Sequence, residues 1–494
     1  MAGTACVIGA GMSGLAATKC LIDAGLEVTC YERDRFVGGR WNNENTNPIP
    51  RSTVTNLPSY MSCFSDFPMK KGTPLYFSAN IYAEYFQDYA ENFCLLPHIN
   101  FEHKVLKVEF MNCPKNGWKV KFKNNEGDEN TKLFDFMVIS SGFYVLPYIP
   151  EKIASAIKGF TGNIVHSKDF KDAEGFRDKN VVVSGLGNTG GDISVESSKF
   201  SKSTCLSTSR GSYIISRIIN NGTIPISASL NRLSAYTPSW LMKLIKENII
   251  QKWSNHAGDM ERWNLKPKNT LSVIINDELP YRVAFGKVKI RKEIIKTEGR
   301  SVYFNDGQVQ EDVDTIVLCT GYTREYPFLD ETILKPQRKG KFLPLYKGMF
   351  PVQHNECLAF VGMFSIFNSV AIGVEMQSRF IAERFKRNIK LPTEEEMAKE
   401  IQSHLQMFDD QFKGEAKELN LIMDPWAYYN ELADQIGCRP SILQIMFSDP
   451  ILFWHLWSRY SFHEFRLYGP NKWNGARDAI INSDELRYSF FKPS

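Results

Sequence analysis

Two glycine-rich turns, each preceded by a short apolar run and followed by a helix-forming stretch, and a matched pair of strand-then-glycine segments predict an α/β chain. The order of these signals implies two Rossmann-like dinucleotide-binding domains, the second inserted into the first.

The first unit opens with the apolar run Thr4 to Ile8, breaks into Gly9-Ala10-Gly11-Met12-Ser13-Gly14, and continues through Leu15 to Ala24 with helix-forming composition. In that strand, turn and helix order Gly9 permits the tight turn, Gly11 lets backbone approach a pyrophosphate, and Gly14 lets the helix pack closely on the strand. Phosphate then rests on the helix N-terminus, where unpaired N–H groups and the helix dipole favour negative charge, with Ser13 in the same turn. A second strand, Glu27 to Tyr31, delivers Glu32, 18 residues beyond Gly14, where a carboxylate can accept hydrogen bonds from a ribose. Gly38-Gly39-Arg40-Trp41 adds another glycine approach, as a longer ligand such as FAD requires. The plain alternative for these four residues is a loop around a buried tryptophan.

The second unit repeats the grammar. Asn180 to Ser184 reads as a strand, Gly185-Leu186-Gly187-Asn188-Thr189-Gly190 as the turn, and the helix runs to about Ser198. Two complete fingerprints imply two dinucleotides. Where a site for NADH would place an acid, this chain has Leu206-Ser207-Thr208-Ser209-Arg210, so hydroxyls and a guanidinium would meet the ribose. An extra phosphate is welcome there and an acid would repel it, which favours NADPH. A solvated surface arginine is the plain alternative for Arg210.

Between the two fingerprints Phe134 to Ser140 reads as a strand leading to Ser141-Gly142 and to Pro147 and Pro150, and Thr315 to Cys319 followed by Thr320-Gly321-Tyr322 is its counterpart on the return. These crossovers divide the chain into the first part of an FAD-binding domain (1–150), an NADPH-binding domain (151–325) with a helical excursion at about 215–285, and the remainder of the FAD domain (326–494). That last part would end in an aromatic segment able to wall a substrate cavity. Pro392-Thr393-Glu394-Glu395-Glu396 starts a helix with Thr393 as N-cap and Glu396 closing a capping box. Met397, Ile401, Leu405 and Phe408 share one face of it and read as core.

Size and composition fit this plan. The 494 residues exceed one ordinary core, and 43% hydrophobic with 23% charged residues is the balance of a soluble globular protein. A formal charge of +4, without a run of like charges, gives no reason to invoke nucleic acid or an acidic membrane. The cysteines stand as singletons with no C-x-x-C, against zinc, a redox dithiol or a disulfide framework, so no metal is expected. The fingerprint at Gly9 leaves no room for a leader ahead of it, and Ile451 to Trp457 is far short of the ~20 residues a membrane helix needs. A soluble chain without a membrane span is expected, cytoplasmic or, if a leader was removed, secreted, and homo-oligomeric.

Phe160-Thr161-Gly162-Asn163-Ile164-Val165-His166-Ser167-Lys168-Asp169-Phe170 fits F-x-G-x-x-x-H-x-x-x-F between the two fingerprints, and it resembles the identifying sequence of the flavin-containing monooxygenases. The resemblance continues through Thr55-Asn56, Cys63-Phe64-Ser65-Asp66-Phe67-Pro68, Asp277-Glu278-Leu279-Pro280, Cys319-Thr320-Gly321-Tyr322, Glu375-x-Gln377-x-Arg379 and Gly469-Pro470-x-Lys472-Trp473. There are departures. The hydrophobic terminal anchor usual in vertebrate members is lacking, so the chain looks more like soluble insect-type members, some of which N-oxygenate plant pyrrolizidine alkaloids. Ser209 stands where the family usually has an arginine, with Arg210 beside it, and the loop after Trp41 is rich in asparagine.

The resemblance implies that NADPH reduces FAD and that reduced flavin captures dioxygen as a peroxyflavin, which oxygenates a soft nucleophile such as a tertiary amine or a sulfide. The cofactor carries that chemistry, and the protein supplies a dry cavity with a few aimed donors. By resemblance Asn56 lies beside the flavin ring as the catalytic amide, its plain alternative being a turn asparagine before Leu57-Pro58; Gln377 contacts flavin or nicotinamide or has a plain helix-surface role; and His166 has a structural role between the domains. Other readings are weaker. A disulfide reductase needs a close cysteine pair after the first helix, a Baeyer–Villiger enzyme would carry tryptophan where Phe170 stands, and a flavin-binding sensor would never turn over.

Overall fold

The computed structural model describes residues 3–483, apart from 47, 112–116, 145, 220–223, 226–262, 264, 266–272, 413–419 and 460. The chain builds β1 (Thr4–Ile8), β2 (Glu27–Tyr31), β3 (Ile99–Asn100) and β4 (Phe136–Ile139) before it leaves the first sheet. It then forms β5 (Asn163–His166), β6 (Asn180–Ser184), β7 (Ser203–Ser207), β8 (Val288–Arg291) and β9 (Thr315–Leu318), and returns to the first sheet with β10 (Leu358–Phe360). The sheet orders are β10-β4-β1-β2-β3 and β8-β7-β6-β9-β5, and every pairing in both is parallel. All five strands of the second sheet thus fall between β4 and β10, which is an insertion. Where the chain passes between the sheets, Leu146–Pro147 pairs antiparallel with Tyr322–Thr323.

Alternation along the central strands explains how each sheet is covered, because successive side chains point to opposite faces. Ala5 and Val7 join the core shared with helices α1 (Met12–Asp23) and α3 (Val370–Phe385), whereas Cys6 and Ile8 face Val108, Trp118, Val120 and Phe134. Those last four belong to an antiparallel sheet of Lys104–Met111, Gly117–Lys123 and Glu129–Phe134. The second unit repeats the plan. Val181 and Val183 pack with Ile193 and Val195 of α2 (Asn188–Phe200), and Val182 packs with Val302 and Phe304 of the antiparallel sheet Ile294–Glu298, Ser301–Phe304 and Val309–Gln310. Central parallel strands buried on both faces are accordingly near-continuous in apolar residues.

The helix Glu394–Phe412 starts as its sequence requires: Thr393 N–H donates to Glu396 Oε2 at 2.9 Å and Glu396 N–H to Thr393 Oγ1 at 3.3 Å. Met397, Ile401, Leu405 and Phe408 are buried. Of the excursion expected at about 215–285, the described residues contain Tyr213–Ile215 paired in parallel with Val273–Ile275 and the short helix Leu279–Ala284. Most of that stretch lies outside the described residues. Among the described residues no helix is long and apolar enough to cross a membrane, and no group of side chains could hold a metal ion.

Candidate functional site

Both glycine turns sit at the carboxyl ends of their sheets' central strands, the usual place for a ligand in open parallel sheets. Their geometry matches closely. Gly9 has φ +100° and Gly185 φ +110°, and a Cβ there would meet the backbone oxygens of Ser140 at 2.8 Å and Cys319 at 2.4 Å. A Cβ on Gly14 would lie 1.7 Å from Gly9 O, and one on Gly190 1.9 Å from Gly185 O, so each helix crosses its turn at backbone contact distance. Gly11 and Gly187 are the N-caps of α1 and α2, and neither helix has a side-chain cap. Among the described residues a Cβ on Gly187 would meet no atom within 4 Å, and one on Gly11 would meet only Gly39, at 3.7 Å. Two uncapped N-termini over open glycines are cradles that suit phosphate, so the residues present fit a dinucleotide at each turn.

Around the first turn, Glu32 is buried and accepts hydrogen bonds from Ala10 N–H at 2.6 Å and Asp34 N–H at 3.0 Å. Burial raises its pKa against the pull of those two N–H groups, and each oxygen keeps a second lone pair for a ribose hydroxyl. Gly38 N–H donates to Ala10 O at 3.0 Å, which draws the second glycine pair onto the turn and sets Gly39 against Gly11. Trp41 packs edge-on against Tyr82, with ring centroids 4.7 Å apart. Arg40 lies over the rings of Tyr144 and Tyr322, at 5.4 and 5.5 Å from their centroids, and so reaches the crossover.

Gln377 is fully buried, and both ends of its amide are engaged within the protein. Its Oε1 accepts from Gly362 N–H at 2.9 Å and its Nε2 donates to the Tyr428 hydroxyl at 2.8 Å. Gly362, with φ +79°, sits so close to Ser13 that a Cβ would come 2.3 Å from its Oγ. Gln377 therefore braces the first turn from behind, through Gly362.

Around the second turn, Asn188 Oδ1 accepts from Ile275 N–H at 2.9 Å, and Thr189 is exposed beside it. Ser209 and Arg210 are exposed just past the end of β7, one strand over from the turn. At the crossover Thr320 Oγ1 donates to Tyr148 O at 2.6 Å, Gly321 O accepts from Tyr148 N–H at 2.9 Å, and the Tyr322 ring meets His166 edge-on at 5.3 Å. His166 Nδ1 accepts from Lys168 N–H at 3.1 Å, and burial holds its pKa below the ordinary range, which suits a neutral structural ring.

The two units meet at Asn56. Its Oδ1 accepts from Arg217 Nη2 at 3.1 Å, and the same guanidinium donates to Thr55 O at 2.9 Å and Val54 O at 3.2 Å. Arg217 is held from its own side by Asp277, at 2.6 Å from Nη1 and 2.8 Å from its backbone N–H. Nearby in the first turns of α2, Asp192 accepts from Asn276 Nδ2 at 2.8 Å; burial raises its pKa to about 6, although Arg217 pulls it down. Arg217 and Asp192 were not among the site residues read from the sequence, because no local pattern marks an arginine whose amide partner lies 161 residues away, and Asp277 entered only through the family-like segment Asp277-Glu278-Leu279-Pro280.

Three further segments of the family-like pattern converge on a buried charge network. Lys19 Nζ and Arg466 Nη2 each lie 2.8 Å from Asp66 Oδ2, and Arg466 also pairs with Glu375 at 2.7 Å. Arg379 donates to Phe465 O and Pro470 O. Burial works to raise the Asp66 carboxyl, yet Arg466 and Lys19 hold it below the usual range. Removing one partner from such a set typically costs ~3–5 kcal/mol, so these residues tie the C-terminal segment to the first sheet.

A family model described as flavin-binding monooxygenase-like matches residues 2–492. Dimethylaniline monooxygenase (N-oxide-forming) 2 of Pan troglodytes is 34% identical over 503 residues, covering 98% of this chain and 92% of that one. Among solved structures, S-allyl-L-cysteine S-oxygenase from Allium sativum is similar with a TM-score of 0.67 at 22% identity, over 100% of this chain and 99% of the other. An open crystal structure of cyclohexanone monooxygenase has a TM-score of 0.61 at 16% identity, over 87% and 97%. The likeness to these two structures is one of fold.

Proposed function

Because the chain belongs to the flavin-binding monooxygenase-like family, we propose that it uses NADPH and dioxygen to oxygenate soft nucleophiles, tertiary amines and sulfides, at the junction between its two parallel sheets. It is a flavin monooxygenase-type enzyme whose cofactors are FAD and NADPH. In our reading the domain limits fall near 150 and 325, and the chain assembles as a homo-oligomer.

The observation that carries the proposal is the pair of equivalent, uncapped glycine N-termini joined by a polar bridge at Asn56. FAD would be held by Gly9, Gly11, Ser13 and Gly14, with Glu32 on its ribose and Gly39, Arg40 and Trp41 along its length. NADPH would be held by Gly185, Gly187, Asn188, Thr189 and Gly190, with Ser209 and Arg210 toward the ribose phosphate and Thr320, Gly321 and Tyr322 at the crossover. When bound and reduced, flavin supplies the reaction with dioxygen. The chain's own residues would bind and orient the cofactors and exclude water: Asn56 would offer its amide at the junction, and Gln377 steadies the first turn through Gly362. Preorganised donors in a water-poor site stabilise developing charge at little reorganisation cost.

The test is NADPH consumption by purified enzyme with panels of tertiary amines, including plant alkaloids, of sulfides and of ketones, with the products identified. N-oxides or S-oxides support the proposal. Esters or lactones from ketones alone would replace it with Baeyer–Villiger chemistry, and flavin reduction without turnover would replace it with a sensor.

A further inference from the structure

We propose that Arg217 is a positioning residue for Asn56, fixing which end of its amide faces the junction; this rests on the reading of Asn56 given above. An asparagine amide carries an acceptor at one end and two donors at the other, and a half-exposed one is free to flip. Guanidinium only donates. With Arg217 Nη2 at 3.1 Å, the Asn56 oxygen must face the insertion, and the amide nitrogen is left with its N–H groups unbonded to any described residue. The guanidinium itself cannot swing away easily. Its side chain is only 10% exposed, it is held by Asp277 on one side and by two backbone carbonyls on the other, and the Tyr76 hydroxyl donates to the Arg217 carbonyl at 2.8 Å. The consequence is a link between the units: the donor offered to the flavin side is oriented only when residues 54–56 and the insertion are docked. Other charged groups near the bridge are Asp192 and Asp277, and neither can donate to Asn56 Oδ1 when ionised.

The experiment compares Arg217→Gln, Asn56→Leu and the double variant as flavin-loaded proteins. Two readouts are taken: the visible absorption spectrum of the oxidised bound flavin without NADPH, and hydrogen peroxide released per NADPH consumed. Arg217→Gln is expected to displace the spectrum in the same direction as Asn56→Leu and to raise the ratio of peroxide to product roughly tenfold or more, the size of losing one charge-assisted hydrogen bond. The double variant is expected to match Asn56→Leu alone. Additive effects, or an Arg217→Gln protein with parental spectrum and coupling beside a defective Asn56→Leu, overturn the proposal. A parental Asn56→Leu protein overturns instead the role of Asn56 on which it rests. If Arg217→Gln does not fold, Arg217→Lys replaces it; a point donor that cannot span four acceptors is expected to give intermediate coupling, and full coupling overturns the proposal.

Discussion

A Cβ on Gly14 would stand 1.7 Å from the backbone oxygen of Gly9, and the second unit reproduces the relation between Gly190 and Gly185 at 1.9 Å. Backbone on both sides leaves nothing soft to yield. Gly14→Ala and Gly190→Ala should each destabilise by about 1–3 kcal/mol, as overpacking does. Gly187→Ala meets no atom of the described residues within 4 Å and should keep parental stability and full flavin content while binding NADPH less tightly. Thermal unfolding and flavin absorbance of the three variants check this; equal destabilisation by Gly187→Ala would contradict it.

Gly11 makes a sharper probe of the first cradle. Because among the described residues a Cβ there meets only Gly39 at an ordinary 3.7 Å, the fold itself tolerates the first carbon, and the branches of valine would occupy the space the proposal gives to pyrophosphate. Purified Gly11→Val should be colourless yet folded. A yellow protein with full flavin content would remove FAD from this turn.

Arg210 is exposed past the end of β7, and the proposed function has it grip the ribose phosphate of NADPH, a charge-assisted contact of about 1.5–3 kcal/mol. Arg210→Ala should shrink the preference for NADPH over NADH by about ten- to a hundredfold, measured as the ratio of their kcat/KM values. Equal losses for both nucleotides would move the phosphate contact to another residue.

Asp192 gives a stability prediction with a definite sign. Its folded pKa, about 6, lies above the ordinary 3.8, chiefly through burial, so its favourable contribution is full below about pH 4 and is lost as pH rises through about 6. At pH 8 the buried charge costs at most about 3 kcal/mol. Asp192→Asn keeps the acceptor for Asn276 and should raise the thermal midpoint at pH 8 while leaving it unchanged near pH 4. A shift of the same size at both pH values would contradict this.

Local signals carried the fold because they encode backbone geometry. The strand limits Thr4–Ile8, Glu27–Tyr31 and Asn180–Ser184 and the capping box at Thr393 were readable from apolar runs, glycines and a four-residue motif. The antiparallel sheets that cover the far faces were not, because their residues join the core through alternation that shows only once the sheets are paired. At the site, glycine turns were legible and brackets were not. Gln377 is fully buried rather than on the helix surface, with its amide spanning Gly362 and Tyr428, and Arg217 meets Asn56 across 161 residues. The first pairing comes from packing within one core and the second from docking of the insertion.

Where the oxygen atom goes decides most directly whether this chain oxygenates soft nucleophiles. Enzyme, NADPH and a tertiary amine incubated under isotopically heavy dioxygen should yield N-oxide carrying one heavy oxygen per NADPH consumed, and Asn56→Leu should divert that oxygen to hydrogen peroxide while flavin stays bound. Recovery of all the heavy oxygen as peroxide by the parental enzyme, across amines and sulfides alike, would contradict the claim that this chain is an oxygenase of soft nucleophiles.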